Sequence, residues 1–72
     1  MGIEEDLVGL GIKIITECSV VGTPVKYFRM GLVKGRNLLL KLGFAQCVNP
    51  MYYQKGGEYV HYNNLNKIWI IE

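Results

Sequence analysis

The feature that most constrains the fold is the segment MYYQKGGEYVHY, residues 51–62, where two glycines separate two alternating runs. A two-residue hairpin turn needs positive φ at its centre, and Gly56-Gly57 supplies it at little steric cost. A turn at this point pairs Lys55 with Glu58, a favourable cross-strand charge pair. Side chains alternate along each strand. The more apolar face, expected to meet the core, carries Met51, Tyr53, Val60 and Tyr62. The other face carries Tyr52, Gln54, Tyr59 and His61.

Two further segments have the pattern of short strands bounded by Gly, Pro or Asn. GIKIITECSVV alternates from Ile12 to Val20, which predicts a half-buried strand ending at Gly22-Thr23-Pro24. KIWII, residues 67–71, is apolar on both sides, which is typical of a strand inside a sheet or in an interface.

The segment VKYFRMGLVKGRNLLLK, residues 25–41, is compatible with two structures. A helix over 29–42 would favour an α+β winged-helix-like fold, but it would contain Gly31 and Gly35, each costing about 0.8–1 kcal/mol relative to Ala. A hairpin with GRN as a three-residue loop places Asn37 where the backbone is left-handed, a conformation that Asn tolerates. In that register six apolar side chains share one side: Phe28, Met30, Leu32, Leu40, Leu42 and Phe44. The hairpin is therefore favoured.

Together these segments predict one small all-β domain over residues 1–72. We expect an antiparallel meander of five or six strands, curled or forming a partly open barrel, because curling is an economical way to hide sheet edges. Residues 1–10 are an acidic leader that can stay flexible. The spacing of Ile3 and Leu7 in this leader allows a short helical turn, which Gly9 limits in length.

Length and composition predict a second copy of the chain as a partner. A chain of 72 residues buries a limited share of its surface, whereas 50% of its residues are hydrophobic. We therefore expect the excess apolar surface to be covered in a homodimer. No secretory signal pattern and no apolar stretch of the ~20 residues that a membrane helix needs are present, so the expected location is the cytosol, without a membrane partner.

The sequence contains little that could build a catalytic or metal site. Cys18 and Cys47 are too few for a disulfide framework and are expected to be free, buried thiols. With His61 they could supply three zinc ligands, but no CxxC pair brings two of them together, so no metal and no other cofactor is predicted. His61 is the only histidine and Asp6 the only aspartate, and the other acids are Glu4, Glu5, Glu17, Glu58 and Glu72. A triad or carboxylate pair would have to be assembled from the leader, a turn residue and the last position. Such positions do not hold groups as firmly as catalysis requires, so we expect a binding module and not an enzyme.

Positive charge is concentrated in the middle of the chain. Six basic side chains lie between Cys18 and Gly57, and all six acidic residues lie outside that range. Tyr27 is expected beside Arg29 and Lys41. Aromatic rings can stack on bases while cations hold the phosphates, as on the curved β surfaces of single-strand and RNA-binding modules. The predicted function is therefore binding of nucleic acid, single-stranded or RNA, or of another polyanion. The residues expected to make this basic, aromatic surface are Lys26, Tyr27, Arg29, Lys34, Arg36, Lys41, Tyr52, Tyr59 and His61.

A protein partner is an equally compatible alternative. Tyrosine is enriched at protein interfaces, lysines on exposed strands discourage pairing with other chains, and the acidic leader could fold onto the basic segment and neutralise it. In that case the chain is a small adapter or inhibitor that binds a larger protein through its tyrosine-rich sheet face.

Overall fold

The computed structural model describes residues 2–72 and contains, over that range, two helices and six strands. The helices are α1 (Ile3–Gly9) and α2 (Leu32–Lys41). The strands are β1 (Ile15–Cys18), β2 (Pro24–Arg29), β3 (Ala45–Gln46), β4 (Tyr52–Lys55), β5 (Glu58–Asn63) and β6 (Ile68–Ile71).

The strands form one open antiparallel sheet in the order β1-β2-β6-β5-β4-β3. Strands β3 to β6 follow one another as a meander after α2, and the far side of β6 pairs with β2, which precedes α2 in the chain. The prediction of a small antiparallel, mostly β domain that is not closed is confirmed. Neither helix in residues 2–72 is long and apolar enough to cross a membrane.

The Gly56-Gly57 hairpin has the predicted register. Lys55 lies opposite Glu58, and the pairing continues through both strands to Tyr52 opposite His61. Gly56 has the positive φ, 59°, that the turn requires. The inward side chains of this hairpin include three that are buried, namely Tyr53, Val60 and Tyr62, so the predicted faces are confirmed.

Both helices cover the same face of the sheet. Ile3 and Leu7 of α1 are buried there, as the leader's helical spacing predicts, together with Leu39 of α2. Strand β6 lies between β2 and β5, which confirms its predicted interior place. The buried cluster formed between the helices and this face comprises Ile3, Leu7, Phe28, Leu39, Phe44, Tyr53, Val60, Tyr62 and Trp69.

Trp69 is the centre of this core. Its side chain has no exposed surface. Its ring centroid lies 4.9 Å from that of Tyr62, 5.7 Å from that of Tyr53 and 6.4 Å from that of Phe28. The indole N–H donates to the Gly31 carbonyl at 3.4 Å, so the one polar atom of the ring is satisfied at the N-terminus of α2.

The predicted hairpin over residues 25–44 is wrong, because Leu32–Lys41 forms α2. The alternative helix over 29–42 is present within those bounds, but it packs on a mostly β domain. Of its two glycines, Gly31 lies outside the helix at its N-cap, and Gly35 lies against the Trp69 ring, where a side chain would not fit. Gly43, with φ +96°, directly follows the C-cap, and glycine near a helix end commonly adopts this conformation.

The first predicted strand is shorter than expected. It forms over Ile15–Cys18, while Val20 lies fully exposed in the turn that follows. Cys18 is exposed and Cys47 is half-buried, both as free thiols. The prediction that these thiols are buried is therefore wrong. Because β1 is an edge strand, Cys18 lies outside the part of the sheet that the helices cover.

The open face of the sheet

The face opposite the helices is not covered by another helix or strand within residues 2–72, and we call it the open face. Residues paired across an antiparallel ladder point to the same side, so the register identifies its members. One row crosses five strands through Tyr52, His61, Ile70, Tyr27 and Ile15. The neighbouring rows contribute Gln54, Tyr59 and Val25 on one side and Asn63, Ile68 and Arg29 on the other.

A pair of stacked rings forms one end of this row. The ring centroids of Tyr52 and His61 lie 4.7 Å apart with an interplanar angle of 17°. Tyr52 is 36% exposed, and Tyr59, two residues from His61 on β5, is 43% exposed. A Glu72 carboxylate oxygen lies 2.8 Å from His61 Nδ1, which fixes the orientation of the imidazole. The result is a pre-formed aromatic surface with accessible rings.

A pocket lies at the other end of the row. Its volume is about 270 Å³, and its walls are formed by Glu17, Tyr27, Arg29, Asn66 and Ile68. The Arg29 guanidinium carbon is 5.9 Å from the centroid of the Tyr27 ring, within the range of a cation–π contact. The pocket therefore combines an acid, a cation and an amide with an aromatic and an aliphatic wall.

Five of the nine predicted site residues come together on the open face. They are Tyr27, Arg29, Tyr52, Tyr59 and His61. Tyr27 is buried, so its ring forms a wall of the pocket and is not presented for stacking from solvent.

The other four predicted residues lie elsewhere. Lys26 points to the opposite side of β2, where its ammonium group lies 3.0 Å from Glu4 of α1. Lys34, Arg36 and Lys41 are exposed on α2. The predicted placement of Lys41 beside Tyr27 is therefore wrong, because the segment is helical and α2 packs behind the sheet.

The charge of the open face also differs from the expected basic surface. Of the cations predicted for the site, Arg29 lies on this face. Glu17 lines the same pocket, and Glu72 contacts His61. The face is therefore aromatic and nearly neutral, and the remaining cations of the middle segment lie behind it.

Three residues of the pocket were missed from the sequence. Glu17 and Ile68 join it through the β1–β2 and β2–β6 registers, which could have been found only by pairing strands distant in sequence. Asn66 belongs to the turn before β6. Its backbone N–H donates to the Asn63 side-chain oxygen at 3.3 Å, an Asx-type contact that the NNLN segment permits.

The three zinc ligands considered from the sequence are not assembled. Cys18 lies on β1 and Cys47 follows β3, the two opposite edges of the sheet. In the described part of the chain, no three side chains of the His, Cys, Asp and Glu types are grouped so that they could hold a metal ion.

Comparison with known proteins gives no relative for this chain. No protein-family model, no curated protein and no solved structure shows a significant match to it.

Two tyrosines make the stability of the fold depend on pH in the alkaline range. Burial, and then the nearby Glu17 carboxylate, raise the pKa of Tyr27 above 10.0, against the opposing effect of Arg29. Burial likewise raises the pKa of Tyr53, against opposing effects of Arg36 and Gln46. A raised pKa means that the folded state holds the phenol proton more tightly than the unfolded state. The contribution of each tyrosine to the free energy of unfolding is fully present below its pKa in the unfolded state. It is lost as the pH rises through its pKa in the folded state.

We therefore expect the free energy of unfolding to fall above about pH 10, and to fall less steeply in Tyr53→Phe. Urea unfolding across this pH range measures both slopes. Tyr59→Phe, which removes an exposed hydroxyl, is the matched control. An unchanged slope in Tyr53→Phe would show that Tyr53 does not contribute to the alkaline loss of stability.

Proposed function

We propose that this chain is a non-enzymatic binding module that takes single-stranded nucleic acid, including RNA, on the open face. The observation that carries the proposal is the grouping of Arg29, Tyr52, Tyr59 and His61 on one uncovered surface, with the buried Tyr27 in the same row. A β-sheet with helices on one face and accessible rings on the other is an arrangement on which unpaired bases can stack.

Base stacking is expected to contribute more to the binding free energy than neutralisation of phosphates. Each base stacked on an aromatic side chain contributes about 1–3 kcal/mol, and the Tyr52–His61 pair is already ordered. Arg29 can neutralise a phosphate, but the acids Glu17 and Glu72 prevent a strongly positive potential on this face. We therefore expect binding with a shallow salt dependence, about −0.7 in log K against log salt for each phosphate neutralised on a single strand.

The test is fluorescence anisotropy with labelled single-stranded RNA and DNA of about 12 nucleotides, within the usual range of site sizes. Tyr52→Ala should weaken binding by about 5- to 150-fold, the effect of losing one stacked base. Arg29→Ala should reduce the salt slope by about 0.7.

The cations of α2 provide the matched control. Lys34→Ala, Arg36→Ala and Lys41→Ala remove the same charge as Arg29→Ala but lie behind the sheet, so each should leave the affinity nearly unchanged. If these variants weaken binding and Tyr52→Ala does not, the nucleic acid binds on α2 and the proposed face is wrong.

A protein partner on the same face is the second candidate. It is favoured by the near balance of charge around Arg29 and by the half-buried Ile70 between Tyr27 and His61. Interfaces are enriched in Tyr and Arg and depleted in Lys, Glu and Asp. This candidate predicts no oligonucleotide binding at low salt, together with loss of a partner on Tyr52→Ala or Tyr59→Ala.

Two other expectations stay proposals. A homodimer would cover the edge strand β1 and the exposed Val20 and Val21 of the β1–β2 turn, and light scattering that gives a monomer mass at high concentration would exclude it. We also propose a cytosolic location, since the free thiols Cys18 and Cys47 suit a reducing compartment. Recovery of either thiol from cells in an oxidised form would contradict this location.

A further inference from the structure

The pocket at the end of the open face has two opposite charges that do not satisfy each other. The ion pair formed within residues 2–72 is Lys26–Glu4, and a Glu72 carboxylate oxygen lies 2.8 Å from His61 Nδ1. Glu17 and Arg29 line the same pocket without forming an ion pair with each other, and both lie near the Tyr27 hydroxyl group. An acceptor and a donor that face one space without meeting can bind a ligand that offers a donor and an acceptor side by side.

The remaining walls define the shape of that ligand. Tyr27 and Ile68 are both buried and supply aromatic and aliphatic surface. Asn66 lies in a turn that the Asn63 side chain stabilises. Asn63 Oδ1 accepts hydrogen bonds from the backbone N–H groups of Leu65 and Asn66 at 3.0 and 3.3 Å. The volume, about 270 Å³, is just below the range of about 300–1,000 Å³ typical of pockets for drug-sized ligands. The occupant is therefore small, flat and polar along one edge.

We infer that this pocket selects a guanine base from the bound strand, with Glu17 accepting from its N1–H and N2–H groups and Arg29 donating to its O6. The inference rests on the proposed function and adds a base preference to it. Guanine places two donors directly beside one carbonyl acceptor. Adenine has no carbonyl and no ring N–H on that edge, and cytosine has no ring N–H there. Uracil offers one donor between two acceptors, so it leaves part of the carboxylate unmatched.

The pocket and the stacked rings can be used by one strand. Tyr27 and Tyr52 are separated along the row by three interstrand steps of about 4.8 Å each, or about 14 Å. One base can therefore stack at the Tyr52–His61 pair while another base of the same strand enters the pocket.

The test uses labelled uridine tracts that carry guanine, inosine or adenine at one central position. Inosine keeps the O6 and N1–H groups of guanine but lacks the N2 amine. We expect affinities in the order guanine, inosine, adenine, with guanine about 5- to 150-fold tighter than adenine, the discrimination of one bidentate base contact.

Two variants assign the preference to the pocket. Glu17→Gln should reduce the guanine preference severalfold, whereas Glu5→Gln, an identical change of charge on an exposed residue of α1, should keep it. Arg29→Lys keeps the positive charge but loses the planar guanidinium fork, so it should keep the salt slope and lose part of the preference. Circular dichroism of each variant checks that it is folded.

The outcomes separate the two proposals. Equal affinity for all three tracts, or a full guanine preference in folded Glu17→Gln, would overturn the guanine pocket and leave the stacking surface standing. Absence of binding to every tract at low salt would overturn both.

Discussion

Trp69→Ala should leave the chain unfolded at room temperature. The ring has no exposed surface and contacts the aromatic side chains of Phe28, Tyr53 and Tyr62. Replacing a buried Trp or Phe by Ala costs about 3–5 kcal/mol. A single core of this size supplies no more than about 3–5 kcal/mol of net stability. The loss is therefore as large as the whole stability of the domain.

Far-UV circular dichroism and urea titration measure this result. Trp69→Ala should give no cooperative transition. Trp69→Phe, which keeps a ring but loses the N–H group that donates to Gly31, should fold with reduced stability. Leu65→Ala is the control, because Leu65 is 93% exposed and its loss should change stability by less than about 0.5 kcal/mol. A cooperative transition for Trp69→Ala near that of the unmodified chain would show that the ring is not central to the core.

Gly35→Ala should have the second largest effect. A Cβ at this position would lie 2.7 Å from Trp69 Cζ2 and closer still to Nε1 and Cε2. The indole is rigid and enclosed, so α2 must move away from the sheet to make room. Overpacking of this kind typically costs about 1–3 kcal/mol and occasionally more. Ala returns about 0.8–1 kcal/mol of helix propensity, which is too little to offset a clash with a fixed ring.

Gly9→Ala is the matched control for this substitution. Gly9 is also helical, at the end of α1, and a Cβ there meets no atom within 4 Å. Ala at this position should be neutral or stabilising by about 0.4–1 kcal/mol, through its lower unfolded-state entropy. Urea midpoints of the two variants should therefore move in opposite directions. If both variants were equally stable, the close approach of α2 to Trp69 would be disproved.

The Gly56-Gly57 hairpin could be predicted from the sequence because its information is local. Two adjacent glycines fix the turn, the turn fixes the register, and the register assigns every side chain to a face. Tyr53 and Val60 are consequently buried, and Tyr52 and Tyr59 exposed, as predicted. The rings proposed for stacking, those of Tyr52, Tyr59 and His61, thus all lie within twelve consecutive residues.

The region of α2 was misassigned because its helix is stabilised by a distant residue. The helix penalties of Gly31 and Gly35 favoured a hairpin, but both penalties were misjudged. Gly31 is outside the helix, and Gly35 is required by Trp69, which lies 34 positions further along the chain. Tertiary packing overrides propensity in such a case. The glycine at position 43 was the local signal that could have indicated a helix end.

The residues of the candidate site could be placed from the sequence only where the pairing of their strands could be predicted. The aromatic residues of β4 and β5 follow from one hairpin, and Tyr27 and Arg29 join them because β2 pairs with β6. That pairing brings together segments about forty positions apart, and nothing in the local pattern specifies it. The expected basic surface depended on the incorrect hairpin, so its cations other than Arg29 lie on α2 or in the Lys26–Glu4 pair.

The position of Trp69 gives the protein an internal optical reporter. It is the only tryptophan of the chain, and its indole lies between the sheet and α2, with its N–H group on Gly31. Its emission wavelength should therefore shift to the red when α2 leaves the sheet. A ligand that stacks on Tyr52 should instead quench tyrosine emission, because that ring lies on the far side of the strands. Excitation of Trp69 alone and of the tyrosines together with Trp69 would thus distinguish ligand binding on the open face from movement of α2 away from the sheet. Both signals come from a single unlabelled sample.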